Sequence, residues 1–186
     1  MKIYVASLSD YNAGILHGAW FDLESYEDTD ELYQDIYNKL LITSPTAHAE
    51  GLKAAEEYAV HDYDGIYPKG LGEYTSLSEL MELQEYLNMC SSYEEEEIFC
   101  EWLNEISGWT SVSSIDFNSF QSSFRGDYSN SWKPEEDFVY AYAEDIGLFD
   151  NVPEDVARYF DYEAYARDLF INDFTITTHG YVFSLI

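Results

Sequence analysis

Glu94, Glu97, Glu101 and Glu105 follow one another at steps of three and four residues, the spacing that lays side chains along one face of an α-helix. Such a row could ligate a cation, divide protons between two carboxyls for acid–base work, or present fixed negative charge to a basic partner. Little accompanies the first two chemistries. Asp62-Tyr63-Asp64-Gly65 echoes a calcium loop, but aligning Gly65 with the glycine of such a loop puts Val60 at its first ligand position and Leu71 at its twelfth. His17, His48, His61 and His179 are scattered, and only His61 adjoins an acid, Asp62. A strand histidine beside a carboxylate is more often structural than a general base. There is no GxSxG, P-loop, HExxH or GxGxxG, and carboxylate pairs are too frequent here to single out a glycosidase-type couple. Cys90 and Cys100 form neither a disulfide framework nor a zinc cluster and read as buried or half-buried free thiols. The residues call for no enzyme, no cofactor and no metal.

The third chemistry fits the whole chain. Thirty-seven acidic against 8 basic residues give 186 residues a formal charge of −29. Residues 1–64, 65–107 and 108–186 hold 13, 10 and 14 acids against 3, 1 and 4 bases, so the excess is spread nearly evenly. Self-repulsion of that size opposes a compact state. A disordered acidic tail would tolerate it, but 46% hydrophobic and 18% aromatic residues describe a chain that folds. Like charges at helical spacing cost about 0.2–0.5 kcal/mol per pair, and no Lys or Arg lies between Lys69 and Arg125 to relieve them. Adaptation to high salt would explain the composition without placing the acids in rows. Duplex DNA carries one charge per about 1.7 Å of axis, so 29 charges correspond to roughly 50 Å of duplex. Carboxylate rows climbing about 4.5–6 Å per step on neighbouring helical faces approach the spacing along one strand. The partner is then a protein with a basic DNA-binding groove. A decoy for another DNA-binding protein and a diffuse divalent-cation binder are the alternatives.

The elements that carry these acids can be read from periodicity. The fold class is α+β, in three small domains at 1–64, 65–107 and 108–186. In the first, strands at Ile3–Leu8 and Ile15–Phe21 flank a hairpin loop, Ser9–Gly14. Asp28 or Thr29 caps a helix with Leu32, Ile36 and Leu40 inward, 43–51 is a loop, and Tyr58–Tyr63 returns as a third strand. In the central acidic helical domain, Thr75 or Ser76 caps a helix burying Leu77, Leu80, Leu83 and Leu87, with Glu79, Glu82 and Glu85 opposite. The next helix buries Ile98, Trp102 and Ile106 behind the Glu94–Glu105 row. In the third domain, Phe117, Phe120 and Phe124 predict a short helix stopped by Gly126. Pro134 opens another, with Glu135, Glu136 and Asp137 in its first turn and Glu144 and Asp145 near its end at Gly147. Glu154 with Arg158 and Glu163 with Arg167 are spaced to pair along a helix, and Phe174–Leu185 reads as a terminal hairpin about His179-Gly180. No stretch approaches a membrane span and the first residues do not form a signal sequence, so the chain reads as cytoplasmic.

Three stretches resemble the ArdA antirestriction proteins of plasmids and conjugative transposons. They are IYVASLSDYNAGILHGAWFDL at 3–23, EEYAVHDYDG with GEYTSLSEL at 56–65 and 72–80, and PEDVARYFDYEAYARDL at 153–169. The chain departs from the family pattern at 41–55, which looks like an insertion, and at 107–133, which is Ser-rich where the family is more acidic. The resemblance implies a non-enzymatic DNA mimic encoded on a mobile genetic element. It implies an elongated homodimer of three-domain subunits seated in the DNA-binding groove of a type I restriction-modification enzyme, on the methyltransferase core. Direct nucleic-acid or membrane binding is not expected. The target-binding acids are then Glu79, Glu82, Glu85, Glu94, Glu97, Glu101, Glu105, Glu135, Glu136, Asp137, Glu144 and Asp145. Val156, Tyr159, Phe160, Tyr162, Glu163, Arg167, Asp168 and Leu169 form the C-terminal block, expected to act in packing or subunit contact.

Overall fold

The computed structural model describes residues 1–185, and they form an α+β protein with two three-stranded antiparallel sheets. The chain divides into two compact units, Met1–Ile115 and Asp116–Ile186.

In the first unit β1 (Lys2–Ser7) is central, with β2 (Gly18–Asp22) and β3 (Tyr58–Asp64) antiparallel on either side. Ile3 lies opposite both Phe21 and Tyr63, and a register shift makes His61 the extra residue of a bulge on β3. The link between β1 and β2 is not a plain hairpin loop. It contains a one-turn helix, α1 (Leu8–Asn12), after which Gly14 turns the chain at φ 77°, the left-handed region that favours glycine. Helix α2 (Thr29–Ile36) is capped by Asp28, whose Oδ1 accepts from the Glu31 N–H at 2.8 Å, and it continues as a π-helical turn, Tyr37–Leu41. Leu32, Ile36 and Leu40 are buried as their spacing requires. The expected 43–51 loop holds a further short helix, α3 (Pro45–Ala49), capped by Ser44 with Pro45 in its first turn.

Asp10 ties α1 to α3. It is wholly buried, and its Oδ1 accepts from the Thr46 N–H at 2.8 Å while Oδ2 has no hydrogen-bond partner. Burial disfavours the charge, but the nearby Ser44, Thr46 and Ser7 hydroxyls and the Thr46 N–H outweigh it and hold the carboxyl well below the usual carboxylate range. A depressed folded-state value contributes stability above the unfolded value near pH 4, and that stability is lost as the pH falls further. Asp10→Asn is expected to cost about 1–3 kcal/mol at neutral pH, because one buried acceptor is lost or misplaced. Melting curves of the two proteins should keep a constant gap above about pH 4 and converge as the pH falls below it; a gap that stays constant below that pH would show that the charge on Asp10 contributes nothing.

Helix α4 (Leu77–Met89) opens with a capping box, in which the Glu79 N–H donates to Ser76 Oγ at 3.2 Å and the Ser76 N–H to Glu79 Oε2 at 3.1 Å. Its Leu77, Leu80, Leu83 and Leu87 are buried. Helix α5 (Tyr93–Glu105), capped by Ser92, buries Ile98, Phe99, Trp102 and Leu103, while Ile106 is half-buried just beyond its end. The amino group of Met1 donates to the buried Gln84 side chain at 2.9 Å, which joins the start of β1 to α4.

The second unit is built on the terminal hairpin of β5 (Phe174–Ile176) and β6 (Tyr181–Ser184). Phe124 does not extend the predicted helix: α6 (Phe117–Ser123) ends before it, and β4 (Phe124–Asp127) pairs with β6, giving the order β4-β6-β5. Gly126 is therefore a strand residue at a register shift, not a helix stop. Gly180 in the hairpin turn has φ 97°, and a Cβ there would lie 3.0 Å from the backbone of Tyr128 and Ser129. Helices α7 (Pro134–Asp145) and α9 (Tyr162–Asn172) pack together over a core of Phe138, Val139, Ala166, Leu169, Phe174 and Val182. Between them α8 is one turn, Glu154–Ala157. Arg158 already lies past its end and sits over the Tyr159 ring at 5.0 Å. Neither the Glu154–Arg158 nor the Glu163–Arg167 ion pair expected from spacing forms among the described residues.

Candidate functional site

Of the 37 carboxylates only Asp10 is buried, and all the others reach the surface wholly or in part. Compensation is scarce. Among the described residues, the ion pairs made by Lys and Arg are Lys39–Asp35 and Lys133–Glu136, each at 2.7 Å.

Helices α4 and α5 carry the first seven predicted target-binding acids. On α5, Glu94, Glu97 and Glu105 are exposed and Glu101 is partly so; on α4, Glu85 is exposed and Glu79 and Glu82 are half-covered. From Glu94 to Glu105 the row spans about 16 Å at 1.5 Å per residue. Part of this charge serves the helices themselves. The side-chain and backbone hydrogen bonds from Ser76 hold the Glu79 carboxyl below its ordinary range, so this acid is committed to the cap of α4. Glu95 accepts from the Ser91 N–H at 2.7 Å and hydroxyl at 2.5 Å, and Glu94–Glu96 all sit where the helix dipole favours anions. Glu97, Glu101 and Glu105 lie beyond that first turn, where the dipole gives them no benefit. Glu96 turns inward, and desolvation, only partly offset by the Met1 amino group, raises its pKa.

Helix α7 carries the other five. Glu135, Asp137, Glu144 and Asp145 are exposed, and the half-buried Glu136 holds Lys133. Asp137 accepts from the Ser131 hydroxyl at 2.5 Å, which fixes the loop before the helix. In the C-terminal block, Leu169 is buried and Phe160 and Tyr162 are half-buried among rings, Phe160 lying 5.1 Å from Phe149 and 5.0 Å from Tyr162. Val156, Tyr159, Glu163, Arg167 and Asp168 are exposed.

Exposed tyrosines within the acidic rows escaped the sequence reading. Tyr93 precedes Glu97, Glu101 and Glu105 at steps of four, and Tyr140 stands midway between Glu136 and Glu144, with 66% and 49% exposure. The signal lay in the same i, i+4 spacing that picked out the acids, had rings been included with them.

Other side chains show structural roles. His17 Nε2 lies 2.9 Å from the Leu40 carbonyl, and His61 Nε2 lies 3.4 Å from Glu73 with the Tyr11 ring edge-on at 4.6 Å. Asp62 and Asp64 lie on strand β3 rather than in a calcium loop. Among the described residues no cluster of three or more His, Cys, Asp or Glu side chains could hold a metal ion. Both cysteines are free, and burial, followed by nearby negative charge, pushes their thiols up to about 12, which leaves them poor nucleophiles at neutral pH. Among the described residues no helix is long and apolar enough to cross a membrane.

A family profile described as "Antirestriction protein (ArdA)" matches residues 3–183. The chain belongs to the ArdA antirestriction family. That match spans both compact units, so the family reading covers α4, α5 and α7 together with the C-terminal block. A search of curated proteins gave no match. ArdA membership implies an antirestriction role, in which the protein opposes restriction enzymes.

Proposed function

We propose that this ArdA protein is a non-enzymatic DNA mimic that occupies the DNA-binding groove of a type I restriction-modification enzyme, on its methyltransferase core, and so blocks DNA binding. One observation carries the reading: 36 of the 37 carboxylates reach the surface wholly or in part, and the whole chain has only 8 Lys and Arg to set against them. A surface kept in that state is stabilised when it meets Lys and Arg from outside, because self-repulsion is exchanged for attraction. The acids of α4, α5 and α7 stand in for phosphates in this account. The exposed Val156 and Tyr159 of the C-terminal block serve contact with a second subunit, and the protein acts in the cytoplasm, where restriction occurs. The three-part division of the chain at 64 and 107 belongs to the same proposal.

Binding should therefore weaken steeply with salt. Groove and mimic each release associated ions on contact, as protein and DNA do, although carboxylates on a folded surface hold counterions less densely than phosphates. Affinity for a purified type I methyltransferase core is expected to fall at least about tenfold between roughly 50 and 200 mM salt, linearly in a log–log plot. A salt-independent affinity would point to an apolar interface and remove the mimicry reading.

A further inference from the structure

Two helices, one in each compact unit, repeat one arrangement: an exposed tyrosine ring in an i, i+4 row of carboxylates. On α5 the row is Tyr93, Glu97, Glu101 and Glu105; on α7 it is Glu136, Tyr140 and Glu144. Each step of four climbs about 6 Å, so every ring has a carboxylate one turn away on the same face. The Tyr93 ring is 66% exposed and has no ring or hydrogen-bond partner among the described residues. Tyr140 is 49% exposed and rests one face on Tyr162, with centroids 3.8 Å apart and planes at 24°. With one face on Tyr162, about half of the ring remains open to a partner. A further glutamate at either position would increase the charge, and an alanine would favour the helix more, so neither charge density nor helix propensity accounts for a ring.

We propose that Tyr93 and Tyr140 are arginine-recognition residues, each offering its ring face to the guanidinium plane of a basic partner while the carboxylate one turn away takes the guanidinium edge. This rests on the acidic surface being a protein-binding face, and it names the side chain that face selects. Arginine meets both groups at once because its cation is planar, weakly hydrated and forked. Lysine is a compact, strongly hydrated charge that takes the carboxylate and gains less from the ring. The acids then set affinity for any basic groove, and the rings set preference for one rich in arginine.

Octa-arginine and octa-lysine peptides of equal charge are the probes, titrated calorimetrically at one low salt concentration into the full chain, Tyr93→Leu, Tyr93→Leu/Tyr140→Leu, and the corresponding Phe variants. The unsubstituted protein is expected to prefer octa-arginine by about 5- to 30-fold. Tyr93→Leu removes about two- to fivefold of that preference, the double Leu variant removes most of it, and Phe retains it. Tyr93→Leu alone keeps the test valid if loss of the Tyr140–Tyr162 stack unsettles α7. An arginine preference that persists in the Leu variants, or is absent from the unsubstituted protein while both peptides bind, overturns the tyrosine assignment and leaves the acidic face standing. Binding of neither peptide overturns both.

Discussion

Replacing Glu94, Glu97, Glu101 and Glu105 together with glutamine is expected to weaken binding to a type I methyltransferase core by about thirtyfold while leaving α5 folded. An exposed charge pair is worth roughly 0.5 kcal/mol, so four lost pairs sum to about 2 kcal/mol and each single substitution costs little more than a factor of two. Stability should move the other way. The variant removes the repulsion of Glu94 with Glu97, Glu97 with Glu101 and Glu101 with Glu105, about 1 kcal/mol in all. The apolar side of the helix, Ile98, Phe99, Trp102 and Leu103, is untouched. Loss of inhibition with a raised melting temperature would separate a functional row from a structural one. Unchanged inhibition would mean that this face only keeps the protein in solution.

Phe138→Ala should produce the largest loss of stability, about 3–5 kcal/mol, and abolish inhibition by unfolding the second unit. Phe138 is 3% exposed, with the rings of Tyr128, Tyr142, Phe170 and Phe174 centred 4.7–5.7 Å away, so truncation empties the middle of an aromatic cluster. Hydrogen exchange should show lost protection in α7, α9 and the β5–β6 hairpin; retained protection there would place the core elsewhere. Phe160→Ala should act in the same direction but less, since its ring is half-buried among Phe149, Tyr162 and Tyr165. Arg167 is exposed and makes no ion pair among the described residues, so Arg167→Ala should leave the fold intact, as should Glu135→Gln. Sedimentation of Phe160→Ala separates packing from contact with the target: a folded protein with unchanged assembly and no activity would put the C-terminal block on the target.

Local, repeated signals were legible in the sequence. Leu77, Leu80, Leu83 and Leu87 marked the inner face of α4, Asp28 or Thr29 and Thr75 or Ser76 marked helix starts whose caps are Asp28 and Ser76, and the terminal hairpin followed from its β-rich runs and turn. Short elements held by distant contacts were not. Nothing local marks Asp10 as the buried acceptor for Thr46, 36 residues away, so α1 and α3 looked like loops. Phe124 kept the helical spacing of Phe117 and Phe120, yet it pairs with Phe183 across a sheet formed with the last strand. Glu154 and Arg158 were spaced for a helix that ends at Ala157. The exposed acids of α4, α5 and α7 follow the helix period and could be picked out by it, whereas the rings among them were not singled out. Their exposure depends on which face each helix buries, and that is settled by packing.

The central claim is most directly tested by competition for one groove. A purified type I methyltransferase core, saturated with a fluorescent duplex bearing its recognition site, is titrated with the protein while anisotropy is followed. The account predicts complete release of the duplex, with the midpoint shifting upward in proportion to the duplex concentration. A ternary complex, in which the protein binds while the duplex stays on the enzyme, would contradict it.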